Sequence, residues 1–480
     1  MNRVLKQRAP GGNGSSTIGI LTRGELPVTE IRSRLKGRVI LPGDADYDQA
    51  RTVFYGGFDR HPALIARVAN VSDIQTVIEL ARDTGLELAV RSGGHSTAGY
   101  SVTEGGMVLD LSEMKALHMD PEGRTAWAET GLTAGEYTAA TDAYSLATGF
   151  GDTGSVGIGG ITLGGGMGYL VRKHGLTIDS LLAAEMVTAD GQLLYVDAEN
   201  YPDLFWAIRG GGGNFGVAAR FKFRLHPLGE IMGGTLILPA TPDLIASFIA
   251  EADAAPEELS TIVNVMPAPA VSTIPSEFHG KLVVMATMVY AGNVESGKRV
   301  VRHFQKLAQP VADLLRPMRY KEMFPPENDN FHPTLVARTM YLERIDRKVA
   351  ETICQYLQAS DSPMPWAELR VLGGAMARVP VDATAFAHRQ NRIIVNIAAS
   401  YSKLEDKIVH QAWVDNFAGA LHQGDFGTYG NFMHEQSDAR VRAIYPEPTW
   451  RRLAKIKARY DPANLFRLNQ NIPPAETVSE

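Results

Sequence analysis

The sequence predicts an α+β fold in two domains, and three observations carry that expectation. At 480 residues the chain is long enough for two to four domains of ordinary size. Its 47 glycines are unevenly placed, with dense runs at 149–168 (GFGDTGSVGIGGITLGGGMG) and 209–216 (RGGGGNFG) that stop before Pro227. Beyond Pro227, alternating apolar runs take turns with longer helical ones. Hydrophobic residues make up 45% and charged residues 21%, the balance of a globular core. The net charge of −6, with no Lys/Arg block, argues against a nucleic-acid partner. No apolar run reaches the roughly 18 residues of a membrane helix. MNRVLKQRAPGGNGSST lacks the apolar core of a signal peptide, so a cytoplasmic location with no membrane partner is expected. One cysteine, Cys354, excludes internal disulfides and thiolate-rich metal centres. The twelve histidines are scattered, His434-Glu435 reads as an exposed polar couple, and no metal is expected.

In chain order, residues 1–30 read as a loosely ordered lead. VSDIQTVIELARDTGL (71–86) reads as a helix, with Ser72 and Gln75 as a capping box and Gly85 as its stop. Leu86–Val90 reads as a strand, then the turn RSGGHS, then a strand in GMVLDLS (106–112). RTAWAETGLT alternates as a strand, and AGEYTAATDAY reads as a helix. LLAAEMVTADGQLLYV (181–196) reads as a hairpin turning at Ala189-Asp190-Gly191. YPDLFWAIRG reads as a helix and VAARFKFRLHP as a strand. After Pro227, strands are expected in GGTLIL, STIVNVMP, KLVVMATMVYA, AELRVLGGAMARV and RIIVNIAASYS. Helices are expected at 241–253, 294–308, 346–358 and 403–422, giving one sheet backed by helices. A last helix ends near Tyr460.

RSGGHSTAGYS (91–101) leaves a strand, drops two side chains and presents an imidazole. Adjacent glycines let backbone approach a ligand, although a tight turn before a surface histidine would look the same. GGGNFG (211–216) matches a Gly-x-Gly-x-x-Gly fingerprint in the wrong context. A helical run precedes it, a strand follows, and no acidic residue lies between Thr235 and Pro242. A Rossmann-type nicotinamide or flavin site is therefore not expected, while the amides of glycine-rich turns remain able to cradle a pyrophosphate.

RSGGHS (91–96), TGSVGIGGITLGGGMGYLVRKHGLTIDSL (153–181), DLFWAIRGGGGNFGV (203–217), YGNF (429–432) and YDPANLFRLNQNIP (460–473) occur in that order. Together they resemble the FAD-linked oxidases of the vanillyl-alcohol-oxidase superfamily, in the berberine-bridge-enzyme and hydroxynicotine-oxidase branch, over nearly the whole chain from about residue 35. The resemblance implies a split, PCMH-type FAD-binding domain (31–226 with a returning tail, 429–480) and a substrate domain (227–428) with a mainly antiparallel sheet. It implies FAD bonded covalently to His95, the two glycines clearing space for the ring. Thr153 stands where many relatives carry a second, cysteinyl attachment, so His95 is expected to be the only link, with Cys354 a buried small apolar residue.

The same resemblance implies FAD contacts from Arg91, Ser92, Gly93, Gly94, Ser96, Ser101, Thr153, Gly154, Val156, Gly157, Gly159, Gly160 and Thr162. Gly213, Gly216, Val217, Asn469 and Asn471 complete that set. Val156 matches a position that gates dioxygen access, or is plain core valine. Tyr429 and Asn431 match a Tyr-x-Asn pair near the flavin, where a tyrosine hydrogen-bonds a substrate hydroxyl or, if its pKa is depressed, removes a proton as hydride leaves, or is a buried aromatic with a satisfied hydroxyl. Met167 replaces a tyrosine common in plant relatives. AFAHR (385–389) resembles an aromatic-Pro-His-Arg segment with Ala387 for proline, which makes His388, and with it Arg389, further candidates. The expected activity is hydride removal from a C–H next to oxygen or nitrogen of a small molecule, with dioxygen reduced to hydrogen peroxide, by a monomer or homodimer. Oxidative cyclisation and non-catalytic small-molecule binding are the alternatives.

Overall fold

The computed structural model describes residues 28–328, 330–434 and 437–476. Most of the lead expected at 1–30 lies outside the described residues, and a helix, Val28–Arg34, begins within that span.

The first body opens with strands β1 (Arg38–Ile40), β2 (Leu64–Arg67), β3 (Leu88–Arg91) and β4 (Met107–Asp110), ordered β1-β2-β4-β3. β2 and β3 run parallel to β4, and β1 is antiparallel to β2. The helix Val71–Thr84 crosses over between β2 and β3 and ends at Gly85 in the left-handed region (φ 68°). Its N-terminus corrects the expected Ser72/Gln75 box. The helix starts at Val71, so Ser72 falls inside the first turn, and Asn70 accepts the Asp73 N–H instead. A second, antiparallel sheet holds β5 (Leu117–Asp120), β6 (Thr125–Glu129), β8 (Leu181–Val187), β9 (Leu193–Asp197) and β10 (Val217–Arg224) in the order β5-β6-β10-β8-β9. β7 (Leu146–Ala147) and β11 (His226–Pro227) form a two-stranded ladder.

The second body is an antiparallel sheet of β12 (Glu230–Pro239), β13 (Leu259–Pro267), β14 (Leu282–Tyr290), β15 (Ala312–Asp313), β16 (Arg316–Arg319), β17 (Leu335–Leu342), β18 (Pro365–Val371) and β19 (Ile393–Ser400). Its order is β15-β12-β14-β13-β18-β19-β17, with β16 beside β12. Residues of the helices Pro242–Ala254, Val294–Gln305, Arg347–Gln358 and Lys407–Leu421 share one apolar core with this sheet. Cys354 is buried in that core.

The tail packs on the first body. Val441, Ile444, Leu453, Ile456 and Tyr460 share a core with Leu204, Phe205, Phe221 and Phe223. Asn214, in the second glycine run, fastens this return. It accepts the Ile472 N–H at 2.9 Å and donates to the Gln470 carbonyl at 3.1 Å, while Lys457 Nζ donates to the Asn214 carbonyl at 2.8 Å. Lys457 and its partner Asp461 are fully buried, so the pairing and the carbonyl bonds together offset a large desolvation cost. Arg389 ties the two bodies by a bidentate pair to Asp179, at 2.7 and 2.8 Å. Among the described residues no helix is long and apolar enough to cross a membrane.

Candidate active site

Between the bodies lies a cavity of about 540 Å³ with two unlike walls. The first wall is mostly backbone, contributed by the turn after β3, the run at 151–160, the turn before β10 and the tail around Asn469. The glycines explain its shape. A side chain on Gly93 would meet Gly157 N at 2.2 Å, and one on Gly157 would meet Gly93 N at the same distance, so the two turns touch backbone to backbone. Gly94 sits at φ +75°, and nothing lies closer to its Cβ position than Arg91 Cδ at 3.7 Å. The Gly-Gly pair therefore serves two purposes, a loop crossing and a left-handed turn. That corrects the expectation that both glycines clear space for a ring.

His95 follows, and its ring stacks on Phe54 with centroids 4.0 Å apart and planes 20° apart. Burial holds its pKa down to about 4, partly opposed by Glu327 and Asp152, so the imidazole is neutral at ordinary pH.

The second wall is sheet. Trp366, Glu368 and Arg370 occupy alternate positions of β18 and share its cavity face. Register sets Asn264 of β13 and Asn396 of β19 on either side of Glu368, an acid between two amides. Ile262 and Thr287 lie one row away, level with Arg370. Arg370 donates to Glu368 at 2.7 Å and to Asp152 of the first wall at 2.5 Å, and it lies 4.9 Å above the Phe432 ring. Burial pushes the Glu368 carboxyl up, with Arg370 opposing and Asp152 adding to the rise. Asn396 Oδ1 and Arg370 Nη1 are buried without a partner.

Of the residues singled out from sequence, Ser92, Gly93, Gly94, His95, Ser96, Ser101, Thr153, Val156, Gly157, Gly159, Gly160, Gly213, Gly216, Val217, Asn469, Tyr429 and Asn431 line this cavity. The Tyr429 hydroxyl accepts from Gly166 N at 3.1 Å and from Asn431 Nδ2 at 2.9 Å. Burial raises its pKa to about 12 even so, the opposite direction to the depression a resting base needs.

Six singled-out residues lie outside the lining. Arg91, at the end of β3, pairs with Asp110 across the ladder on β4 at 2.9 Å. Thr162 bonds back to the Ile158 carbonyl at 2.6 Å within its own helix. Gly154 makes room for Glu327 and Phe324. Asn471 is in the tail beside the Asn214 anchor. His388 bonds the Ile444 carbonyl at 2.9 Å and, like Arg389, joins the bodies.

Sequence reasoning missed Asp152, Asn264, Glu368, Arg370, Asn396 and Tyr55. It also misplaced His434, which stands in the cavity wall against Tyr55 with its pKa lowered to about 4 by burial. WAELRV alternates as a half-exposed strand would, and only the sheet's helix-free face, turned towards the glycine wall, shows that its polar side is enclosed.

The first wall fits a flavin dinucleotide. A Cβ on Gly160 would meet nothing within 4 Å, one on Gly213 only Asn469 Nδ2 at 4.0 Å, and both glycines line the cavity. Asn469 Oδ1 is buried and unpaired there.

Comparison with known proteins agrees. Residues 62–197 match the model of an FAD binding domain, and 428–473 match that of berberine and berberine-like proteins. The chain is 30% identical over 455 residues to an uncharacterized FAD-linked oxidoreductase of Bacillus subtilis (strain 168), covering 92% of this chain and 98% of that protein. It is 28% identical to (R)-6-hydroxynicotine oxidase of Paenarthrobacter nicotinovorans, covering 92% and 97%. The crystal structure of 6-hydroxy-D-nicotine oxidase from Arthrobacter nicotinovorans superposes with a TM-score of 0.82 at 26% identity, covering 92% and 98%. The chain is an FAD-dependent oxidoreductase. More narrowly, the chain belongs to the berberine-bridge-enzyme-like and hydroxynicotine-oxidase-like branch of the vanillyl-alcohol-oxidase superfamily.

Proposed function

We propose that the protein is an oxidase that takes hydride from a C–H bond next to oxygen or nitrogen of a small organic substrate and passes the electrons to dioxygen, giving hydrogen peroxide. The observation that carries this reading is the row Asn264–Glu368–Asn396, which faces the backbone wall across one cavity. In this reading 31–226 and 429–480 hold FAD, and 227–428 holds the substrate.

FAD, when bound, supplies the hydride acceptor. Glu368 takes the O–H or N–H proton that the substrate must lose as its adjacent C–H bond breaks, which suits a carboxyl whose pKa burial raises. Asn264 and Asn396 orient the group that carries that proton. Arg370 holds the carboxyl in line and keeps Asp152 paired. Tyr429 and Asn431 brace the turn at Gly166 and offer the substrate a hydroxyl, in place of the base role that the motif suggests. His95 is the single covalent tether, because Thr153 has no thiol and Cys354 lies in the helix-backed core. Val156 leaves a path for dioxygen.

The test is anaerobic titration with alcohols, amines, phenols and sugars, followed by admission of air. Bleaching of the flavin spectrum by one class, and stoichiometric peroxide on reoxidation, are expected. Tight binding of a compound without bleaching, across all classes, would replace the oxidase reading with that of a binding protein.

A further inference from the structure

His95 makes one contact that hydride transfer does not use. Ser155 Oγ lies 2.9 Å from His95 Nε2 and 2.5 Å from Glu327 Oε2, and Ser155 N–H donates to Glu327 Oε1 at 3.0 Å. Glu327 comes from the second body, in the segment between the 3₁₀ turn Tyr320–Met323 and β17. Gly154 admits it, since a Cβ there would stand 3.2 Å from Glu327 Oε1.

The hydrogen-bond directions follow from the atoms. An ionised carboxylate only accepts, so the Ser155 hydroxyl donates to Glu327. The serine oxygen then accepts from the ring, which places the imidazole proton on Nε2 and leaves the lone pair on Nδ1. Stacking on Phe54 fixes the plane in which that lone pair lies. The imidazole is thus neutral, oriented, of one tautomer, and in contact with an acceptor for the proton it must shed once it forms a new bond.

We propose that Ser155 and Glu327 form a proton relay that drives the covalent attachment of His95 to FAD. The inference rests on the reading that His95 carries the cofactor. In the attachment, Nδ1 bonds the carbon of the ring methyl group. One C–H bond of that methyl and the Nε2–H bond are lost, and one C–N bond is gained. The two protons and two electrons released convert dioxygen to hydrogen peroxide. The Nε2 proton moves to Ser155 Oγ as the serine proton moves to Glu327. Both are positioning residues, acting on His95 and not on the substrate. Because Glu327 belongs to the second body, attachment follows the docking of the two bodies and marks a chain that has folded completely.

The test uses the full chain, purified as expressed and then incubated with excess FAD in air. Total bound flavin is measured by gel filtration. Covalent flavin is measured by in-gel fluorescence after denaturation and by the mass increment. Glu327→Gln and Ser155→Ala are expected to bind total FAD within about twofold of wild type and to attach it at least about tenfold more slowly, the low end of what a positioned proton acceptor supplies. Ser155→Thr and Glu327→Asp, which keep the hydroxyl and the charge, are expected to restore most of the rate. Attachment at the wild-type rate in Glu327→Gln and Ser155→Ala overturns the relay. So does loss of total and covalent flavin in step, which would make the pair a scaffold. A wild-type protein with no covalent flavin overturns instead the reading of His95 as the tether.

Discussion

The two walls of the cavity hold their occupants by different means. The glycine wall works through backbone, and its requirement is the absence of side chains where Gly93 crosses Gly157 and where Gly160 and Gly213 face open space. The sheet wall works through single polar side chains, Asn264, Glu368, Arg370 and Asn396, on strands whose backbones are wholly engaged in the ladder. One wall is thereby specialised for a ligand of fixed shape. The other can change its chemistry one residue at a time without disturbing the fold.

That contrast is open to being broken. The largest effect is expected at Gly93→Ala, because the added methyl would stand 2.2 Å from Gly157 N, and backbone cannot yield as a side-chain tip does. Purified protein should contain no flavin; a normal flavin content would show that the crossing of the turns is loose. Glu368→Gln makes the opposite cut. It keeps size and an acceptor for Arg370, so flavin content should be unchanged, while anaerobic flavin reduction should slow about 10²-fold or more by stopped flow. If reduction proceeds at the wild-type rate, the sheet wall only shapes the substrate.

Two smaller effects sharpen the boundary between the walls. Val156→Leu should slow reoxidation of the photoreduced enzyme by air about tenfold, roughly 1.4 kcal/mol of barrier, and leave reduction alone. Equal reoxidation rates would reduce Val156 to packing. Tyr429→Phe leaves Gly166 N without its acceptor and Asn431 Nδ2 with the Ile161 carbonyl alone, a cost of about 1–3 kcal/mol in stability. Reduction per folded molecule should fall far less than in Glu368→Gln. A 10²-fold loss with unchanged stability would return the proton-accepting role to Tyr429.

The glycine wall was largely legible in the sequence because backbone requirements leave a compositional trace. Runs such as GGHS and GGGNFG mark close backbone approach, and their order along the chain points to a cofactor where each alone would not; the helix stop at Gly85 and the hairpin at Gly191 are written in the same way. The sheet wall was not legible. Glu368 and Arg370 alternate with Ala367, Leu369 and Val371 as in any strand with one wet face, and what encloses that face is the other body. The cap of the helix Val71–Thr84 was misread for a related reason, since Ser72 and Asn70 both suit a cap and only the tertiary start of the helix chooses. His388 and Arg389 stand in a motif-like segment whose side chains bond across the two bodies, which no local pattern reveals.

The smallest expected effect is a difference of sign in the pH dependence of stability. His434, on the tail, is held neutral by burial, its pKa lowered from 6.5 to about 4. The unfolded chain takes up a proton there near pH 6.5 that the folded chain refuses, so this stability is present above pH 6.5 and is lost as pH falls towards 4. Glu368, on the sheet, is raised above its ordinary 4.5. Its stability is full below pH 4.5 and is lost as pH rises through the folded pKa. Between pH 4.5 and the folded pKa of Glu368 the two groups pull wild-type stability in opposite directions. Neutral glutamine at either position removes one slope. Relative to wild type, His434→Gln should gain Tm as pH falls across that window, and Glu368→Gln should gain Tm as pH rises. Thermal melts of the flavin-loaded proteins at half-unit pH steps make the comparison. Curves parallel to wild type for both variants would mean that neither wall holds its ionisable group away from water, and the enclosed cavity on which the proposed chemistry depends would be open to solvent.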